Sequence, residues 1–362
     1  MADSYGRNLH LTIYGGSHDE KIGMTLAGLP QGFNIDQEEL QAFLARRAPG
    51  RNPLGTARQE GDEPVFLRGV DDNFATDGKT IEAVIYNKNQ HSKDYEKLKH
   101  IPRPAHADYS AVKKYGEQVD LRGGGHFSGR LTAPLCIAGG ICRQYLKKVH
   151  KIEIGAHIYS IGSVKDKPFD LAKVGLADLA ALSHKELAVI DDEAGELMKE
   201  EILRVKAQGD SIGGVVECAA VNVPAGLGEH MFNGVENRIS AIVFAIPAVK
   251  AIEFGNGFAC AALTGSVNND AFYTDGKEVY TKTNHSGGIL GGITNGMPIV
   301  FRAAVKPTPS IYKEQDSVDL QKMQNVKLKI EGRHDPCIVP RAVPVFEAAL
   351  AIALTDMLLD ER

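Results

Sequence analysis

Apolar residues of helical period and of strand period are interleaved along this chain without the strand–helix–strand rhythm that a parallel sheet requires. That irregularity limits the fold more than any other feature. Asp36 followed by Glu39 forms a capping box, Leu40, Phe43 and Leu44 make one apolar helical face, and Pro49-Gly50 ends the segment. Asp191 to Ala207 reads as an amphipathic helix through Ala194, Leu197, Met198, Ile202 and Val205, and Val345 to Leu358 as a largely buried helix. Leu9 to Ile13, the valine-rich Val215 to Val223 and Ile299 to Val305 read as strands. Val326, Leu328 and Ile330 alternate with Lys327, Lys329 and Glu331, which predicts a half-exposed strand running into Gly332-Arg333-His334-Asp335. The pattern predicts an α+β architecture with antiparallel sheets rather than a doubly wound one.

The length of 362 residues admits one large domain or two ordinary ones, and no repeat, low-complexity tract or Pro/Ser-rich linker divides it. A composition of 43% hydrophobic and 24% charged residues is that of a globular protein, and a net charge of −5 argues against nucleic-acid binding, so affinity for anions must be local. The five cysteines lack CxxC spacing and read as reduced core residues, with no disulfide framework or metal site. Neither a basic-then-apolar leader nor an apolar run of about 18 residues is present, so a cytoplasmic protein without a membrane span is expected.

The 38 glycines cluster, and several clusters hold charged or titratable residues. Gly15-Gly16-Ser17-His18 places a histidine on a tight turn, where it is either a proton donor or an ordinary surface histidine. Asp108 could orient His106 within Arg103-Pro104-Ala105-His106-Ala107-Asp108-Tyr109, although a plain loop is the commoner explanation. Arg122-Gly123-Gly124-Gly125-His126-Phe127-Ser128-Gly129-Arg130 suits a backbone that wraps a phosphate, the alternative being a flexible hairpin. Lys306-Pro307-Thr308-Pro309-Ser310 suits a phosphate tail, or is only a turn. Arg333 and Asp335 form a ligand-facing group or a structural pair, and Arg46 and Arg47 offset a helix dipole or reach an anion. No GxGxxG opens a strand–helix unit, no GxxxxGK[ST] occurs, and no HExxH supports a metal.

In order, these clusters resemble the chorismate synthase family over essentially the whole chain. The resemblance rests on Thr12-Ile13-Tyr14-Gly15-Gly16-Ser17-His18, Arg46-Arg47-Ala48-Pro49-Gly50, Ser92-Lys93-Asp94-Tyr95 and the His106 segment. Arg122-Gly123-Gly124-Gly125, Asp210-Ser211-Ile212-Gly213-Gly214, Gly287-Gly288-Ile289-Leu290-Gly291-Gly292, Lys306 to Ser310 and Gly332-Arg333-His334-Asp335-Pro336 complete the series. It implies a single domain over 1–362, with a helical layer between antiparallel sheets, usually assembled as a homotetramer. It also implies conversion of 5-enolpyruvylshikimate 3-phosphate to chorismate and phosphate by an anti-1,4-elimination that needs reduced FMN.

By the same resemblance His18 protonates the leaving phosphate or the flavin, His106 acts at the pyrimidine end of reduced FMN, and Asp335 assists N5 in accepting the ring proton. Arg46, Arg103 and Arg130, with Arg47 and Arg333, are the expected partners of the substrate anions. Flavin contacts are expected from His126, Phe127, Ser128, Pro247, Ala248, Gly291, Lys306, Pro307, Thr308, Pro309, Ser310 and Arg333. Arg47 also matches a position linked to NADP, and a bifunctional form with its own NADPH:FMN reductase activity is the alternative. The chain departs from many relatives at His126, where they carry arginine, and at Ala48, where a third arginine is common.

Overall fold

The structure, a computed structural model, describes residues 2–50, 54–55, 61–87, 100–116, 118–330, 332 and 334–360. Arg333 and the segment 92–95 therefore lie outside the described residues.

Two five-stranded antiparallel sheets enclose a layer of helices. The first sheet contains β1 (Ala2–Tyr5), β2 (His10–Tyr14), β3 (Lys21–Ala27), β4 (Val65–Arg68) and β5 (Ile81–Tyr86), in the order β1-β2-β3-β5-β4. The second contains β6 (Glu153–Ile161), β7 (Val164–Lys165), β8 (Gly214–Val221) and β9 (Val249–Phe254). After two small hairpins, β10 (Phe272–Thr274) with β11 (Val279–Thr281) and β12 (Ile289–Leu290) with β13 (Ile293–Thr294), β14 (Ile299–Val305) completes it in the order β7-β6-β8-β14-β9. A last hairpin joins β15 (Gln315–Asp319) to β16 (Gln324–Leu328).

The α-helices among the described residues are α1 (Gln37–Arg47), α2 (Asp108–Tyr115), α3 (Thr132–Tyr145), α4 (Leu176–Ser183), α5 (Asp192–Ala207), α6 (Val235–Ala245), α7 (Gly265–Asn268) and α8 (Val339–Leu358). Helix α3 packs on β2, β3 and β5, α8 packs on β6 and β8, and the two pack on each other. Both are buried on every side, as helices apolar all round must be. Their close approach depends on Gly139, where an added Cβ would stand 2.2 Å from Ala348 Cβ.

The expected α1 forms with Asp36 as its cap, the carboxylate accepting from Glu39 N–H at 2.9 Å, and Leu40, Phe43 and Leu44 are buried. Helix α5 buries Met198, Ile202 and Val205, but Leu197 is exposed, because it lies off that stripe. Helix α8 starts six residues before the expected Val345. Pro340 is tolerated in its first turn, and Pro344 only removes one donor from a helix held in place by burial. Strand β14 has the predicted bounds, whereas β16 ends at Leu328, so the Gly332 cluster follows the strand after a gap. Four cysteines are buried as expected and Cys260 is exposed.

One buried carboxylate on α8 anchors the first sheet. Asp356 Oδ1 accepts from the backbone N–H groups of Arg7, Asn8 and Leu9 at 2.8–2.9 Å, and Arg238 donates to Oδ2 at 2.5 Å. It satisfies donors that the β1–β2 turn would otherwise bury unpaired.

Candidate active site

The triple glycine forms a tight turn with Gly123, Gly124 and Gly125 at φ of +58°, +90° and +52°. These left-handed conformations are cheap only without a Cβ. Space also demands glycine, since a Cβ at Gly123 would stand 2.2 Å from His18 Cε1 and one at Gly125 2.0 Å from the Asp120 carbonyl oxygen. Ser17 N–H donates to the Gly125 carbonyl at 3.2 Å, which ties the His18 turn to this one. Ser17 Oγ donates to the Arg122 carbonyl at 3.0 Å and lies 3.2 Å from His18 Nδ1. Its single hydrogen being committed, that hydroxyl accepts from Nδ1–H.

His106 is held from the other side of the turn. Its Nδ1 lies 2.5 Å from Asp108 Oδ1, and Arg103 donates to both oxygens of Asp108 at 2.7 Å. Burial opposes ionisation of Asp108, but the hydrogen bonds from Arg103 and His106 outweigh it and hold the carboxyl well below the usual range.

Arg47, at the end of α1, and Arg130, in the short turn just before α3, converge on the buried Asp62 carboxylate. Arg47 Nε donates to Oδ2 at 2.6 Å, Arg47 NH1 to Thr132 Oγ1 at 3.2 Å, and Arg130 NH1 pairs with Oδ1. Arg341, in the first turn of α8, donates to Asp335 Oδ2 at 2.7 Å and to the Arg47 carbonyl at 3.0 Å. His126 spans the Gly15 carbonyl at 2.9 Å and Asp3 Oδ2 at 2.6 Å.

The side chains of Asp3, His18, Arg47, Arg103, His106, His126, Arg130, Asp335 and Arg341 line one cavity of about 650 Å³. Its remaining wall comes from Phe244 to Lys250 and from the loop after β14, including Lys306, Thr308, Pro309 and Ser310. Lys306 is pulled down from its ordinary pKa by burial and then by the neighbouring Lys250 ammonium. Two like charges on one wall create a place for an anion. Thr308 Oγ1 and His334 Nε2 are buried without a hydrogen-bond partner among the described residues, and both residues line the cavity. Buried polar atoms are nearly always satisfied, so these two mark points of contact for a bound molecule. Burial, and then the Arg103 charge, lower the pKa of His334.

The cavity thus brings together His18, His106, Asp335, Arg47, Arg103, Arg130, His126, Phe127, Ser128, Pro247, Ala248, Lys306, Thr308, Pro309 and Ser310. Pro307 belongs to the same loop without lining the cavity. Two predicted residues lie elsewhere. Arg46 closes in a fork on the buried Glu347, with both distances 2.7 Å, and Gly291 sits at the tip of the β12–β13 hairpin. Asp62, His334 and Lys250 were not anticipated. Asp62 offers no motif of its own, and only the convergence of two distant arginines reveals it.

Among the described residues six basic side chains (Arg47, Arg103, Arg130, Arg341, Lys250 and Lys306) face the cavity against two carboxylates, Asp3 and Asp335. Such a site favours a compact polyanion and sets three titratable groups around it.

Comparison with known proteins places the chain. A family model described as chorismate synthase matches residues 9–359. The chain is 45% identical to the chorismate synthase of Lancefieldella parvula over 99% of its own length and 96% of that protein. It is 46% identical to the Pyrococcus abyssi chorismate synthase over 99% and 98% of the two chains. A solved structure, "Crystal Structure of Chorismate Synthase", superposes with a TM-score of 0.78 at 32% identity, covering 99% of this chain and 93% of the other. With the layered β-α-β fold and the positively lined cavity, these matches establish that the chain belongs to the chorismate synthase family, carbon–oxygen lyases acting on phosphates.

Proposed function

We propose that the chain, acting as a single catalytic domain, converts 5-enolpyruvylshikimate 3-phosphate to chorismate and phosphate with reduced FMN in this cavity. The convergence of His18, His106 and Asp335 on one positively lined space carries the reading. The substrate bears a phosphate and two carboxylates, and Arg47, Arg130 and Arg341 supply matching positive charge.

The residues present fit the cofactor. A space of about 650 Å³ lies within the usual range for cofactor pockets. The Lys250–Lys306 pair suits a terminal phosphate, and the unpartnered Thr308 hydroxyl and His334 nitrogen suit polar atoms of a bound ring or ribityl chain. His126, Phe127, Ser128, Pro247, Ala248 and Lys306 to Ser310 would hold it, while Arg333 and Gly291 remain candidates carried by the family pattern alone. Reduced FMN would supply transient electron density for the elimination and would end unchanged, since the overall reaction is redox-neutral.

The protein's own part is proton and charge placement. His18 would deliver a proton toward the leaving phosphate, His106 would hold a proton against the bound cofactor, and Asp335, fixed by Arg341, would assist in receiving the ring proton. The exposed Phe232, Phe258 and Phe272 support assembly with further copies of the chain, consistent with a homotetramer. Among the described residues no helix is long and apolar enough to cross a membrane, and the reading is that of a cytoplasmic biosynthetic enzyme. Ala48 stands where a third arginine is common among relatives, which disfavours NADP binding and hence the bifunctional alternative.

The decisive assay is anaerobic turnover of the phosphorylated enolpyruvyl substrate with dithionite-reduced FMN. Stoichiometric release of chorismate and phosphate is expected; tight binding of both ligands without product would overturn the proposal.

A further inference from the structure

The geometry points to Asp108 as a positioning residue that presents His106 to the reaction in one tautomer, with Arg103 acting through Asp108. The inference concerns the same cavity and rests on the proposed reaction for its kinetic part only.

Asp108 is buried and is the first residue of α2, two residues after His106. Arg103 grips its carboxylate with Nε on Oδ2 and NH2 on Oδ1, both at 2.7 Å, and Arg103 N–H adds a third bond at 3.0 Å. A carboxylate so held is an acceptor only. Its Oδ1 stands 2.5 Å from His106 Nδ1. Two lone pairs cannot face each other at that distance, so the proton resides on Nδ1. Arg103 NH2, 3.1 Å from the same nitrogen, is a donor and cannot replace Asp108 as its partner.

The remaining nitrogen, Nε2, lies beside Gly124, where an added Cβ would come within 3.2 Å of it. In the neutral ring Nε2 therefore carries the lone pair that takes up a proton, and in the charged ring it carries the proton that is given. Rotation of the ring would break the bond to Asp108 and set Nδ1 in place of Nε2. The loop itself is braced: Lys306 Nζ bonds the Ala105 carbonyl, and Ala105 is held at φ +59°. Arg103 and Asp108 thus form a closed pair behind the histidine, and the part of Arg103 in the reaction passes through that pair.

The test combines nitrogen-15 NMR of histidine-labelled full-length protein with kinetics on Asp108→Asn and Asp108→Ala. In the wild type above pH 8, the His106 signal, identified by its loss in His106→Asn, should report a protonated Nδ1 and an unprotonated Nε2. Asp108→Asn keeps an acceptor oxygen and should retain that tautomer, whereas Asp108→Ala should give a mixture of the two. Turnover should fall roughly 10–100-fold in Asp108→Ala and less in Asp108→Asn, with substrate KM changed less than about threefold, because a proton-transfer group rather than a binding contact is disturbed. A wild-type His106 protonated on Nε2 would overturn the inference, as would wild-type turnover in a folded Asp108→Ala. A rise in KM with unchanged kcat would overturn it too, assigning Arg103 a direct substrate contact. If Asp108→Ala does not fold, the wild-type tautomer and the Asp108→Asn kinetics decide. Failure of the wild type to form product would refute the proposed reaction while leaving the tautomer measurement intact.

Discussion

His18 and His106 are held against neighbouring glycines of a single turn. His18 Cε1 would lie 2.2 Å from a Cβ on Gly123, and His106 Nε2 3.2 Å from one on Gly124. Two imidazoles that are 88 residues apart in sequence share one strip of backbone because that strip has no side chains. The glycine run is therefore a spacer between two proton-transfer groups at least as much as an anion loop.

Replacing either histidine should stop the chemistry and spare the fold. His18→Ala and His106→Ala are each expected to lower anaerobic turnover roughly 10²-fold or more, the range for loss of a general acid or base. Circular dichroism and thermal melts should match the wild type. Undiminished activity in both variants would remove their assigned roles.

The turn itself should tolerate no side chain. Gly123→Ala combines φ +58° with a collision on His18, so a loss of about 1–3 kcal/mol in stability and a large loss of turnover are expected. Gly129→Ala is the control, since nothing lies within 4 Å of its added Cβ. Chemical denaturation and turnover measured on both variants would expose an error if the two behaved alike.

A second, buried histidine should make stability depend on pH. His157 lies between Asp166 Oδ2 at 2.9 Å and Glu217 Oε2 at 2.8 Å, on the face of the second sheet turned toward Phe169. Burial pulls its pKa down, but the hydrogen bonds and charges of Asp166 and Glu217 outweigh burial and raise it above the ordinary 6.5. A raised folded-state value means that the charged ring stabilises the fold fully below pH 6.5, and that this is lost as pH climbs through the folded value. The stability gap between wild type and His157→Gln, read by denaturant titration, should shrink on going from pH 6 to about pH 9. A gap that widened toward alkaline pH would contradict the buried ion cluster.

The reductase question has a direct answer at the bench. NADPH with oxidised FMN, in air-free buffer and without an added reductase, should yield no chorismate, and adding dithionite should restore turnover. Product formed on NADPH alone would show the bifunctional form.

Local patterns were legible wherever neighbours in sequence settle the outcome. The cap at Asp36, the apolar stripe of α1, the bounds of β14 and the antiparallel α+β class follow from residue spacing and periodicity. So does the expectation of a local anion site, since glycines and arginines gather in clusters while the whole chain is acidic. The start of α8 was hidden by Pro344, whose lost donor matters less than the burial of nearly every residue around it.

Only the folded chain decided which charged groups face the cavity. Arg46 and Arg47 are adjacent and chemically identical, yet consecutive helical residues point about 100° apart. One turns to Glu347 on α8, the other to Asp62 and the cavity wall. Sequence fixes that angle but not which side meets which partner, because Glu347 and Asp62 are brought there by segments 301 and 15 residues away. Periodicity is a property of the backbone and can be read along the chain. The pairing of buried charges arises from packing distant segments, where each ion must find the partner that offsets its desolvation.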